Sequence, residues 1–125
     1  MQNKLLITGL ATTLLCAAGL LSPCSHGQQS QPLSKQFLEY KTKAEQGDAS
    51  AQNNLAVCYH EGQGVPKDEV EAYAWHNLAV RTSEEAAKHR DALAETLSPK
   101  QVAEGKKRTE ELRAQIEAKR KRDGK

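Results

Sequence analysis

Between Lys43 and Ala79 the chain spells out one complete helix–loop–helix hairpin, with small, apolar and glycine residues where such a unit needs them. A hairpin of this kind cannot bury its apolar face alone. It must stack on neighbouring helices. A chain of 125 residues holds one small domain and leaves room for only a little stacking. This favours a surface that meets a partner over a catalytic centre.

The helical pattern starts at Leu33. Leu33, Phe37, Tyr40 and Ala44 recur at spacings of four, three and four and define one helix face. Gly47 stands where a helix ends by turning left-handed. Asp48 or Ser50 then caps a second helix, on which Ala51, Leu55, Cys58 and Tyr59 share a face. Gly62 and Gly64 end it, Val65 plugs the gap between helices, and Pro66 stops any continuation. Asp68 and Glu71 have the spacing of a capping box for a third helix, where Ala72, Trp75, His76 and Ala79 align.

Thr82 and Glu85 repeat the capping spacing. They predict a fourth helix to about Glu95, with Ala86, Leu93 and Leu97 inward. Glu84–Lys88 and Glu85–His89 are helical pairs worth a few tenths of a kcal/mol each. Ser98, Pro99 and Gln101 start a last helix running to about Arg120. On it Val102, Gly105, Thr109, Leu112 and Ile116 recur at threes and fours, and fraying is expected beyond Ile116. The fold class is all-α: five antiparallel helices whose short connections make consecutive helices neighbours. Alanine is abundant and aromatics are few (Phe37, Tyr40, Tyr59, Tyr73 and Trp75), which suits close helix packing.

Ahead of this domain, Lys4, an apolar run from Leu5 to Leu21 and a small, polar end have the layout of a secretory signal peptide. Cleavage is expected after Gly27, giving a signal peptide at 1–27, a flexible leader at 28–32, a helical domain at 33–118 and a basic disordered tail at 119–125. The expected location is periplasmic or secreted. A membrane-anchored alternative is weaker because Thr8, Gly9, Thr12, Thr13 and Gly19 break the run. A lipoprotein alternative rests on Cys16 or Cys24, preceded unfavourably by Leu15 and Pro23. After cleavage only Cys58 remains, so no internal disulfide forms and helix packing must supply the stability. Cys58 then reads as a small buried hydrophobe.

Candidate chemistry is sparse. His60, His76 and His89 include no pair at ligand spacing on one helix, so no metal site is expected. His60 and His89 read as solvated and His76 as partly packed. No nucleophile elbow, phosphate-cradling glycine loop or convergent acid, base and nucleophile set is present, and no cofactor is expected. The net charge is only +2, and the basic tail has no interleaved aromatics, which disfavours nucleic acid as a partner. Trp75 reads as packed, with Tyr73, His76 and Asn77 beside it as the edge of a groove if it is instead a binding anchor. Four amides left over from packing, Gln52, Asn53, Asn54 and Asn77, are the candidate partner contacts.

The hairpin resembles the Sel-one-like repeat family, relatives of the tetratricopeptide repeats. The match rests on Ala44, Gly47, Ala49, Ala51, Gln52, Leu55, Tyr59, Gly62, Gly64, Val65, Asp68, Glu71, Ala72, Trp75 and Ala79, and most specifically on the run from Gly62 to Asp68. Ala56 stands where the family has glycine. One full repeat is covered, flanked by partial echoes at 33–46 and 83–118 that would cap the stack. The resemblance implies a short right-handed superhelical stack of helix hairpins used as a scaffold for an unidentified protein or peptide, with self-association open. Some cysteine-rich relatives bind or hydrolyse β-lactams. Their paired cysteines are missing here, which leaves a hydrolase as the alternative to a non-enzymatic adaptor, beside a membrane-tethered accessory protein.

Overall fold

The computed structural model describes residues 32–124. The expected signal peptide and nearly all of the leader lie outside the described residues, as does Lys125. Five helices follow in order: α1 Lys35–Glu45, α2 Ala49–Glu61, α3 Glu69–Ala79, α4 Glu84–Thr96 and α5 Pro99–Asp123. Among the described residues there is no strand.

Each boundary has a local cause. Ser34 caps α1, its hydroxyl accepting from the Phe37 amide at 3.1 Å. Leu33 therefore lies ahead of the helix rather than on its buried face, and it is 44% exposed. Asp48 caps α2 by accepting from the Ala51 amide at 2.9 Å. Gly62 ends α2 with φ of 73°, and Gly64 follows with φ of 72°. At Gly64 a side chain would also overlap the Ser34 hydroxyl. The Ser34 amide donates to the Gly64 carbonyl at 3.1 Å, so this loop is docked on the start of α1.

Asp68 caps α3 through the Val70 and Glu71 amides, both at 3.0 Å. The expected box is half formed. The Glu71 carboxylate turns instead to the Trp75 indole and to Arg108 on α5. Ser83, not Thr82, caps α4, accepting from the Ala86 amide at 3.2 Å. Thr82 directs its hydroxyl back to the Ala79 carbonyl at the end of α3. The Ser98–Gln101 capping box is complete, with bonds of 3.2 and 3.0 Å. Helix α5 then continues to Asp123, through most of the stretch expected to be a disordered tail. Lys119 reaches Glu45 on α1 at 3.3 Å and ties that end down.

The packing is centred on α3, which lies against α2, α4 and α5, while α1 packs on α2 and touches α5. Helices α4 and α5 are consecutive, yet they make little contact of their own. The expectation that they pair is corrected here: both use α3 as their support. The reason is residue-level. Tyr73, Ala74, Trp75 and His76 are consecutive and all buried, so α3 is covered by neighbours on several sides. Gly105 lets α5 approach α3 closely, since a Cβ there would sit 2.5 Å from Tyr73 Cδ1. Thr109, Leu112 and Ile116 continue that contact line and are buried. The larger core joins Phe37, Ala44, Ala51, Leu55, Ala56, Cys58, Ala74, Trp75, Leu112 and Ile116. The smaller joins Ala72, Tyr73, Leu93 and Leu97.

Candidate functional site: the histidine-lined cleft between α2 and α4

Because α2 and α4 both lean on α3 without closing on each other, a cleft of about 400 Å³ opens between them. Helix α2 supplies Val57, His60 and Glu61, α4 supplies His89, Ala92, Leu93 and Thr96, and α3 supplies His76. The walls are largely apolar and the polar groups are concentrated at the imidazoles and Glu61.

His76 is 3% exposed. Its Nδ1 lies 3.0 Å from Asn53 Oδ1 on α2. An amide oxygen only accepts, so Nδ1 carries the proton and Nε2 is left with a lone pair. Among the described residues no hydrogen bond reaches that Nε2. Burial, reinforced by the neighbouring His89 and His60, pushes the His76 pKa down to about 4, so the ring is neutral at pH 7. His89 stands edge-on to His76, with ring centres 5.2 Å apart and planes at 81°. Its own Nε2 is 4.0 Å from Glu85 Oε1. The sequence reading of His76 as partly packed is thus corrected to buried, while His60 and His89 are exposed as expected and border the same cleft.

The four amides expected to meet a partner do not form one surface. Gln52 is buried, and its Nε2 donates to the Ala44 carbonyl at 3.2 Å, joining α2 to α1. Asn53 is half-buried and holds His76. Asn54 is half-buried on the next side of α2. Asn77 donates to Thr109 Oγ1 at 3.3 Å and accepts from Arg90 Nη1 at 3.4 Å, so it links α3 to both α5 and α4. The premise that packing makes no claim on them fails for Gln52, Asn53 and Asn77, because each amide bonds a group on another helix.

Trp75 is 3% exposed and donates from Nε1 to Glu71 Oε2 at 3.2 Å, which makes it a core residue. Tyr73 and His76 beside it are buried as well and border different recesses, His76 the α2–α4 cleft and Tyr73, with Asn77, a recess near Arg90 and Lys106. Cys58 is a buried free thiol whose pKa is raised by burial and by Glu61, as suits a small core residue. On the far side of α3, a second recess lies between α1 and α5, lined by Tyr59, Trp75, Leu112 and charged side chains. There Glu71 pairs with Arg108, and Glu45 with Lys41 and Lys119.

Three positions of the cleft had no pattern in the sequence, since His60, His76 and His89 come from three different helices. One signal was available. From Ala72 to Val80 the chain carries no Asp, Glu, Lys or Arg. A helix whose last two turns carry no charge marks that part as central, and its histidine as buried.

Comparison with known proteins adds to this geometry. The Sel1 repeat family matches residues 49–81, the whole of α2, the glycine loop and α3. The chain carries a Sel1 repeat. Among solved structures, a protective antigen of uropathogenic Escherichia coli, described as displaying an SLR fold, is similar with a TM-score of 0.61 and 24% identity. The likeness covers 71% of this chain but 21% of the antigen, so the chain spans about a fifth of that protein's length. No curated protein matches. The repeat positions Ala44, Ala51, Leu55, Ala72, Trp75 and Ala79 are all buried, Tyr59 and Val65 pack against the core, and Gly47, Gly62 and Gly64 all have positive φ. The fold is therefore a short stack of helix hairpins of the Sel1 type.

Proposed function

We propose that the chain is an exported, non-enzymatic interaction module in which the Sel1 repeat and the following helix α4 present their shared cleft to a protein or peptide partner. The observation that supports this best is the open cleft itself, where two helices of a stacked-hairpin fold stand apart on a third. Its apolar walls of Val57, Ala92 and Leu93 supply area to bury, and the imidazoles and Glu61 fix the orientation of what enters. A short apolar segment carrying one or two polar side chains fits that lining. Asn54 lies near the α2 wall by helical spacing and remains a candidate contact, while Asn53 acts through His76.

The test is capture in the producing cell with a C-terminally tagged copy, native and with Ala92→Arg and Thr96→Arg together. Ala92 and Thr96 are exposed on α4, so the fold tolerates the change while the cleft fills. A partner retained by the native chain and lost with the double variant supports the reading. A partner held equally well by both removes the cleft from the account. Intact mass of the exported chain reports on the leader: the mass of residues 28–125 fits cleavage, and full length or added lipid fits a tether.

A further inference from the structure

We propose that His76 and His89 bind one divalent transition-metal ion of the zinc type in the α2–α4 cleft. Three observations carry this. First, His76 is 3% exposed, lines the cleft, and has a lone pair on Nε2 that no group among the described residues uses. A buried nitrogen acceptor left without a donor needs a ligand or a water to satisfy it. Second, its other nitrogen is committed to Asn53 Oδ1 at 3.0 Å. That is the outer hydrogen bond that orients a metal-binding imidazole and selects its tautomer. Third, the His76 and His89 ring centres are 5.2 Å apart. At metal–nitrogen distances of about 2.0–2.1 Å, two imidazoles sharing one tetrahedral ion have centres about 5 Å apart.

Among the described residues no three His, Cys, Asp or Glu side chains form a ready cluster. The ion therefore takes two imidazoles from the chain and keeps its other positions for water or for a donor group that enters the cleft. His60 and Glu61 line the same space from α2. Imidazole donors and a partly open position suit zinc, nickel or copper and not calcium or magnesium, which prefer oxygen. This inference does not depend on the partner reading, because metal binding is measured on the isolated chain.

The experiment uses the exported chain without a histidine tag, stripped with chelator and titrated with Co²⁺ and Zn²⁺ at pH 7. The expected result is one-to-one saturation, a visible Co²⁺ absorption of nitrogen ligation, and displacement of Co²⁺ by Zn²⁺. His89→Gln, at a position exposed enough to leave the helices intact, is expected to weaken binding at least about tenfold, as is Asn53→Ala through loss of the outer hydrogen bond. Both variants are first checked for unchanged helical circular dichroism. An absence of saturable binding, or a His89→Gln variant that binds as tightly as the native chain, overturns the proposal.

Discussion

At the scale of single residues, the sharpest consequences concern Gly105, Trp75 and His76. Helix propensity alone favours Gly105→Ala by about 1 kcal/mol. The new methyl would sit 2.5 Å from Cδ1 of a buried tyrosine that has little room to move. Overpacking of that kind costs about 1–3 kcal/mol, so denaturant unfolding is expected to show a net loss of stability. Trp75→Ala is expected to cost about 3–5 kcal/mol, enough to unfold much of so small a domain, whereas Trp75→Phe retains the fold with a smaller loss. Circular dichroism melts distinguish the two. His76 gives a pH dependence whose sign is set by its lowered pKa of about 4 against an ordinary 6.5. The unfolded chain binds the extra proton first, so the contribution is complete above pH 6.5 and is lost as pH falls towards 4. The loss amounts to about 2–3 kcal/mol. Urea midpoints of chelator-treated protein at pH 7 and pH 4.5 are expected to separate more for the native chain than for His76→Gln. Of these residues, Trp75 was legible in sequence because its spacing matched a core face. Gly105 stood on the correct stripe with no hint of Tyr73 as its neighbour, since close approach is a property of two helices together.

At the scale of elements, local chemistry determined what could be read. The caps at Asp48, Asp68 and Ser98 and the turn at Gly62 and Gly64 act within a few residues of themselves, and each stands where its spacing placed it. Spacing favours Thr82 over Ser83, because Thr82 has the same capping chemistry one residue earlier and a glutamate at the matching offset. The structure separates them: Ser83→Ala is expected to cost about 1 kcal/mol in thermal melts and Thr82→Ala only a few tenths. The end of α5 departs from its sequence pattern for another reason. Its stripe ends at Ile116, and beyond it Lys119 pairs with Glu45, 74 residues away in sequence. Burial opposes the charge on Glu45, yet Lys41 and Lys119 more than offset it and hold the carboxyl below its usual pKa. No local pattern announces such a long-range pair.

At the scale of the whole molecule, the all-helical class and the hairpin stack followed from periodicity and from the glycine loop, but the arrangement of the last two helices did not. Short connections make neighbours of most consecutive helices. Here α3 buries side chains on several sides and supports both α4 and α5. That choice leaves α2 and α4 apart and creates the cleft, so the candidate site arises from packing order and not from any motif. The same order explains why the amides chosen from sequence were mostly spent: Gln52 and Asn77 stand where helices meet. The most direct test of the cleft as the interaction surface is site-specific photocrosslinking in the producing cell, with the crosslinker placed in turn at Ala92 inside the cleft and at Glu117 on the exposed side of α5. The account predicts a discrete crosslink to another chain from Ala92 and none from Glu117. A partner captured from Glu117 and not from Ala92 would contradict it.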